Sequence, residues 1–164
     1  MPLKIVTPEQ FKTGVWYTID PGVHTAIQRW DAGELCNFIV IDSTKMKSVG
    51  HKIDLITGKM EYFMNDIPGG VLIEGVDFRM GSDVSMASAA RGNLSLLAYI
   101  VGGIISTCIY CDCFVHDPVR YVEWAGQLSY SQLRRILLVK FKVDCTNEHI
   151  AAARGIGFAA RGDL

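Results

Sequence analysis

Three cysteines and a histidine stand close together in the second half of the chain, in the pattern C-x-x-C-x-C-x-x-H. They are Cys108, Cys111, Cys113 and His116. Thiolate and imidazole groups at this density suit tetrahedral zinc. A zinc centre is therefore one hypothesis, which Cys145 and His149 could extend, and no other cofactor is indicated. The competing interpretation is a buried, inert set, because free cysteine is among the most buried residue types.

The flanking residues bear on the zinc hypothesis. The sequence IISTCIYCDCFV, residues 104–115, is β-branched and aromatic, which is typical of a buried strand. Alternate side chains of a strand point to opposite faces, so Cys111 and Cys113 would share one face and Cys108 and His116 the other. The four side chains could then converge on one ion only around a bulge.

The same region suggests a second chemistry, thiol hydrolysis or acyl transfer. Residues 111–115, CDCFV, resemble the nucleophile segment of the circularly permuted papain-like acyltransferases. The resemblance implies Cys111 as nucleophile and His24, on an upstream strand, as the general base that lowers the thiol pKa. The segment departs from that family at Tyr110, where the family has Asn. Pro118 would also interrupt the helix that should activate the thiol.

Composition and charge indicate which partners to expect. The chain has 164 residues, of which 49% are hydrophobic and only 20% charged, against about 25% in an average soluble domain. Some of its surface is therefore expected to be covered by a partner protein or by copies of itself. A formal net charge of -1 provides no long-range field to attract nucleic acid or an anionic membrane. We expect neither as a partner.

The C-terminal sequence HIAAARGIGFAAR, residues 149–161, is loosely similar to a helix-turn-helix phrase. Only Arg154 and Arg161 could neutralise phosphates there, so we interpret the segment as a helix packed on the body of the protein.

The five cysteines are an odd number, and no apolar signal core follows Lys4. Both features favour reduced thiols and a cytoplasmic location.

The first half of the chain predicts strands. Residues 15–19, 23–30 and 35–42 are separated by two tight turns, which predicts an antiparallel meander. Further strands are expected at residues 52–56, 60–64 and 71–80, with a Gly-containing hairpin connection at 57–59. Six or seven strands without a helical crossover favour a barrel, a sandwich or a strongly bent sheet.

The second half predicts fewer strands and some helix. A central buried helix is expected to begin at Ser82 and Asp83 and to stop at Gly102 and Gly103, before the strand at 104–115. A membrane span over 94–115 is the rival interpretation, which Asp112 weakens. After a short helix that ends near residue 136, a half-buried strand at 137–143 and a last short helix, HIAAAR, stopped by Gly155, complete the chain.

The fold class predicted is thus α+β and mainly β, an antiparallel barrel or sandwich in a single domain, residues 1–164. The function predicted is a non-enzymatic, oligomer-forming structural or interaction subunit, for which a larger particle such as a virion is one setting. Its interface is expected on aromatic side chains and the last helix. The aromatic residues are Trp16, Tyr17, Trp30, Tyr121 and Trp124.

The Cys/His enzyme and the zinc module remain alternatives. Carboxylates near the expected strand ends, among them Asp42 and Asp54, are not paired by any pattern.

Overall fold

A computed structural model describes residues 3, 5–65, 67–75 and 92–164. Its strands are β1 (Val15–Asp20), β2 (His24–Asp31), β3 (Glu34–Asp42), β4 (Gly70–Ile73) and β5 (Phe114–Val115). They form one mixed sheet in the order β3-β2-β1-β4-β5. Strands β1, β2 and β3 pair antiparallel, whereas β4 is parallel to β1 and β5 is parallel to β4.

Helices cover both faces of this sheet. They are α1 (Pro8–Phe11), α2 (Val49–Met64), α3 (Asn93–Tyr110), α4 (Tyr121–Trp124), α5 (Tyr130–Phe141) and α6 (Glu148–Ala160). Alternation along β1 sends Trp16 into the core shared with α5 and α6, and Tyr17 and Ile19 into the core shared with α2 and α3. The central strands are therefore buried on both faces.

The antiparallel meander of β1, β2 and β3 is confirmed, but the barrel or sandwich is wrong. The sheet is open, and its second half is parallel because helices cross over between strands. The main difference lies at residues 52–64, where the sequence predicts a hairpin and the structure has part of α2.

Helix α2 occupies residues for which the sequence predicts two strands, and its apolar spacing is helical. Ile56, Met60 and Met64 recur every four residues and are fully buried on one side of the helix. Ser48 caps the N-terminus by accepting a hydrogen bond from the His51 amide, and Asn65 ends the helix in the left-handed conformation. The supposed turn glycine, Gly58, lies inside the helix.

Helix α3 replaces the central strand predicted at residues 104–115. It continues through Gly102 and Gly103, and only Phe114 and Val115 are in a strand. A Cβ on Gly103 would lie 2.9 Å from Ile53 Cγ2, so this glycine allows α3 to approach α2 closely. The predicted helix start at Ser82 and Asp83 lies outside the described residues.

Helix α3 is also not a central buried helix. Four of its residues, Ile100, Val101, Ile104 and Cys108, are buried, while Tyr99 and Ile109 are more than 60% exposed. By length and composition alone it could cross a membrane, and 22% of it is buried in this fold. The same length and composition occur in core helices of soluble proteins.

The C-terminal third is helical. Residues 137–141 extend helix α5, with Leu133 and Leu137 buried one turn apart, so the strand predicted there is wrong. The last helix is confirmed but is longer than expected, because it continues through Gly155 and Gly157. A Cβ on Gly157 would lie 2.1 Å from Trp30 Cζ2. Gly157 therefore lets α6 lie directly against the sheet, while Gly155 lets it pack against Trp124 of α4.

Candidate active site

Two acidic residues, Asp20 and Glu74, lie side by side where the central parallel strands end. The register pairs Thr18 with Leu72 and Ile19 with Ile73, and the Glu74 amide continues it by donating to the Ile19 carbonyl at 2.9 Å. Glu74 is one step beyond Ile73, as Asp20 is beyond Ile19, so both side chains point to the same face. That face is the one covered by α6.

Helix α6 brings a histidine to the same place. His149 lies in its first turn, and its Nδ1 is 2.8 Å from Asp20 Oδ2. Asn147 caps the helix by accepting a hydrogen bond from the Ile150 amide at 2.9 Å, which fixes the direction in which the helix begins. The exposed Glu148 adds a second negative charge close enough to affect the pKa of Asp20.

Burial and mutual repulsion make the ionised forms of these carboxyl groups unfavourable. Burial and, after it, the charge of Asp20 raise the pKa of Glu74 to about 8, against a hydrogen bond from Tyr130 that lowers it. Burial also raises the pKa of Asp20, whose side chain is 11% exposed, against the hydrogen bond from His149. That hydrogen bond in turn raises the pKa of His149.

Two tyrosine side chains lie close to Glu74. Tyr121 and Tyr130 have ring centroids 5.0 Å apart, and the negative charge of Glu74 contributes to the raised pKa of both hydroxyls, after burial. The Tyr121 hydroxyl donates to the Leu128 carbonyl at 2.6 Å. The buried Oε2 of Glu74 has no hydrogen-bond partner among the described residues. Such an oxygen is costly unless something binds it.

The carboxylate pair fits a divalent cation in its donor chemistry. A hard cation would bind the buried oxygen that lacks a partner. Its charge would also offset the repulsion between the two carboxyl groups. Within the described ranges, no group of three or more His, Cys, Asp or Glu side chains is arranged to hold a metal ion.

A second histidine lies beside the first. The rings of His24 and His149 have centroids 5.4 Å apart. His24 begins β2 and is the cross-strand neighbour of Asp42, and its Nδ1 is 3.6 Å from Asp42 Oδ1. Asp42 Oδ1 also accepts hydrogen bonds from the Thr44 amide at 2.8 Å and from its hydroxyl at 2.6 Å. The pKa of Asp42 is lowered, mainly by these two hydrogen bonds.

The cysteine motif lies elsewhere in the fold. Cys108 is buried in α3 against the sheet, and burial raises its pKa to about 12. Cys111 follows the end of that helix, Cys113 is buried, and His116 stacks on Trp16 with centroids 5.5 Å apart. This arrangement offers no support for zinc, which stays a prediction.

The proposed thiol pair is not brought together either. His24 lies where β1 ends, whereas Cys111 and Cys113 precede β5, whose Phe114 pairs with Gly70 at the beginning of β4. Because β1 and β4 run parallel, His24 and the two cysteines lie at opposite ends of the strands. Of the residues predicted to be catalytic, only His24 is close to the carboxylate pair.

Sequence reasoning missed Asp20 and Glu74 and assigned His149 to the cysteine cluster. Asp20 belongs to the first of the two tight turns that the sequence predicts, and Glu74 lies within the strand predicted at residues 71–80. The available signal was an acidic residue at the end of each of two apolar strands, in TID and LIE. It becomes informative only when the two strands are known to be parallel neighbours, because like ends then meet.

The mixed sheet of the described residues, in the order β3-β2-β1-β4-β5 with helices on both faces, has an RNase H-like fold. Two solved structures of RuvC from Thermus thermophilus share it. One has a TM-score of 0.65 at 14% identity, over 88% of this chain and 92% of that chain. The other, RuvC in complex with a Holliday junction substrate, has a TM-score of 0.66 at 15% identity, over 89% and 91%. No protein-family model matches the chain, and no curated protein matches it significantly.

This similarity corrects two functional predictions. The non-enzymatic structural subunit is wrong, because the fold is that of RuvC and buried carboxylates meet at its sheet edge. The exclusion of nucleic acid is wrong for a fold that also occurs bound to a DNA junction. The aromatic interface fails as well, because Trp16, Tyr17, Trp30 and Trp124 are buried in the cores.

Proposed function

We propose that this protein is a divalent-metal-dependent endonuclease that hydrolyses phosphodiester bonds in branched DNA. The observation that carries the proposal is the pairing of Asp20 with Glu74 on adjacent parallel strands. The RNase H-like fold supports it, and the junction bound to RuvC suggests branched DNA as the substrate class. A cytoplasmic location agrees with this activity and stays a prediction.

Asp20 and Glu74 would hold the cation. Magnesium is usually bound through one or two carboxylates together with substrate phosphates, which agrees with a pair of ligands rather than a closed protein site. When bound, a divalent cation supplies Lewis-acid stabilisation of the charge that develops on the phosphoryl group. Its charge would also relieve the repulsion that raises the pKa of Glu74.

His149 orients one of the two ligands. Its hydrogen bond occupies Asp20 Oδ2, so Oδ1 is the carboxylate oxygen that would bind the cation. Such partners fix the direction of a ligand and raise its affinity for metal. Tyr130 has the corresponding position next to Glu74.

The DNA backbone has a cationic surface available close by. The connection from β3 to α2 carries the exposed residues Lys45 and Lys47, just after Asp42 and Thr44. Lys52 closes this connection by donating to the Ser43 carbonyl at 2.9 Å. Although the net charge of the chain is -1, these lysines concentrate positive charge at the edge of the sheet that carries the site.

The test is cleavage of a labelled four-way DNA junction by the purified protein, with Mg²⁺ or Mn²⁺ and with a chelator. We expect cleavage only with the metal. D20N and E74Q should each lower the rate by about 10³-fold, an effect of the size seen when a strong electrostatic contact to the reacting group is lost. D54N, which changes an exposed carboxylate on α2, is the matched control.

Metal binding provides a readout that does not depend on activity. Calorimetric titration of the DNA-free protein with Mn²⁺ should detect binding in the wild type and in D54N, and its loss in D20N. Wild-type protein that neither binds the metal nor cleaves junction or duplex DNA would exclude the nuclease.

A further inference from the structure

The imidazole of His24 lies next to the candidate site and has no role in the arrangement of the two carboxylates. Its ring lies 5.4 Å from that of His149, which contacts Asp20 directly. The side chain is 40% exposed, so it can reach a substrate that lies over the site. His24 begins β2 directly after the turn that follows Asp20, so the same turn positions both residues.

Asp42 lies beside this imidazole. Nδ1 faces Asp42 Oδ1 at 3.6 Å, and two hydrogen bonds from Thr44 hold that carboxylate. The distance is longer than a hydrogen bond, and catalytic contacts of this kind often tighten only when substrate binds. In the imidazolium form both ring nitrogens carry a proton. A carboxylate beside Nδ1 then pairs with the Nδ1 proton and leaves the proton on Nε2 available for donation to a ligand.

We propose that His24 is a further catalytic residue of the nuclease, which donates a proton from Nε2 to the sugar oxygen that leaves phosphorus. The inference rests on the proposed function. Water forms the new bond to phosphorus and gives up one proton to solvent. The bond from phosphorus to the sugar oxygen breaks with its electron pair, and that oxygen takes the proton from His24. Solvent then reprotonates His24, and the products are a phosphate monoester and an alcohol.

The chemistry explains why a proton donor is useful here. A sugar alkoxide is a poor leaving group, and a positioned general acid typically contributes 10²–10⁴-fold to such a step. Asp20 and Glu74 are committed to the cation, and His149 is committed to Asp20. Among the described residues in contact with His149, His24 has an accessible ring nitrogen that is not already assigned a role.

A second role would fit the same position, namely contact of His24 with a neighbouring phosphate. That role would strengthen DNA binding, whereas proton donation would speed the chemical step alone. Substrates with sulfur in place of the leaving oxygen distinguish the two roles, because a thiolate leaves without a proton.

The experiment first maps the cleaved bond in a four-way junction with wild-type protein and Mg²⁺. Junctions with oxygen, 3′-bridging sulfur or 5′-bridging sulfur at that bond are then cleaved under single-turnover conditions at saturating protein. The variants are H24Q, D42N and the control H51Q, which changes an exposed histidine on α2. DNA binding is measured separately by fluorescence anisotropy in a chelator.

We expect H24Q to cleave the oxygen substrate about 10²-fold more slowly than the wild type. With one of the two sulfur substrates it should reach the wild-type rate, while its Kd for DNA stays within about twofold. D42N should show a smaller loss with the same rescue, and H51Q should behave as the wild type. The sulfur position that restores the rate identifies the leaving oxygen.

Two results would overturn the inference while the nuclease stands. One is an H24Q rate that equals the wild type on the oxygen substrate. The other is an equal loss on all three substrates, with or without weaker binding, which would assign His24 to phosphate contact or to structure. Wild-type protein that cleaves none of the substrates would instead refute the nuclease, and the inference with it.

Discussion

Asp20 Oδ2 and His149 Nδ1 are 2.8 Å apart, although 129 positions separate them in the chain. This contact joins the end of the central strand β1 to the first turn of the last long helix, α6. It places the histidine beside the Asp20 and Glu74 pair at the edge of the sheet. The candidate site therefore depends on how α6 packs.

Removal of this contact should weaken metal binding and make stability less dependent on pH. In H149Q we expect a 10- to 100-fold loss in Mn²⁺ affinity, typical of losing a residue that orients a ligand. The raised pKa of His149 means that its contribution to stability is complete below its ordinary value of 6.5. That contribution disappears as the pH rises through the folded-state value.

Urea unfolding at pH 6 and pH 9 measures this effect. The free-energy difference between wild type and H149Q should be larger at pH 6. H51Q serves as the control, and a difference that is equal at both pH values would contradict the assignment of the contact.

Substitution of Glu74 should increase stability while it removes activity. The pKa of Glu74 is about 8 in the folded protein, against an ordinary value of 4.5. The unfolded chain therefore ionises first, and the wild type loses stability as the pH rises between these values. E74Q should be more stable than the wild type at pH 8 without divalent metal, by up to a few kcal/mol.

The measurement is thermal or urea unfolding of both proteins at pH 4 and pH 8 in a chelator. The difference should be small at pH 4, where the carboxyl group is protonated in the folded protein and mostly protonated in the unfolded chain. Addition of Mn²⁺ at pH 8 should raise the Tm of the wild type and leave that of E74Q nearly unchanged. An E74Q protein that is less stable at pH 8 would show that the carboxylate is already satisfied.

Two helical glycines should respond in opposite directions to alanine. A Cβ at position 157 would collide with Trp30, whose ring is itself held by a hydrogen bond from its Nε1 to Thr18 Oγ1 at 2.8 Å. G157A should lower the free energy of unfolding by about 1–3 kcal/mol, as overpacking does. G102A meets no atom within 4 Å and should raise it by about 0.5–1 kcal/mol through helix propensity.

Denaturant unfolding of the two variants beside the wild type tests this pair. Since α6 carries His149, G157A should also lower Mn²⁺ affinity, whereas G102A should not. A stable G157A protein would mean that α6 is not in close contact with the sheet at Trp30.

The lysines after β3 should contribute to DNA affinity through charge alone. K45A/K47A should weaken binding of both duplex and junction DNA. The slope of log Kobs against log salt should become shallower by the amount that corresponds to roughly two lost phosphate contacts. K59A, on the exposed side of α2, is the control. Anisotropy titrations at several salt concentrations in a chelator give both quantities. An unchanged salt slope would place the DNA path elsewhere.

About half of the architecture could be predicted from local pattern. The strands β1, β2 and β3 alternate clearly and are joined by short turns, so their antiparallel pairing needs no long-range information. The prediction failed where apolar runs were short or contained glycine. Gly58, Gly102, Gly103, Gly155 and Gly157 all lie inside helices, and Gly103 and Gly157 are there because a neighbouring helix or ring comes too close for a side chain.

The sequence by itself indicated the antiparallel strands β1, β2 and β3, the presence of a last helix, and His24 as a candidate proton carrier. These depend on residues a few positions apart. Only the tertiary structure decided that β4 lies parallel beside β1 and that α6 packs over their ends. Those choices bring Asp20, Glu74 and His149 together from three distant segments, because burial of the apolar faces of α6 and the sheet fixes where the polar ends meet.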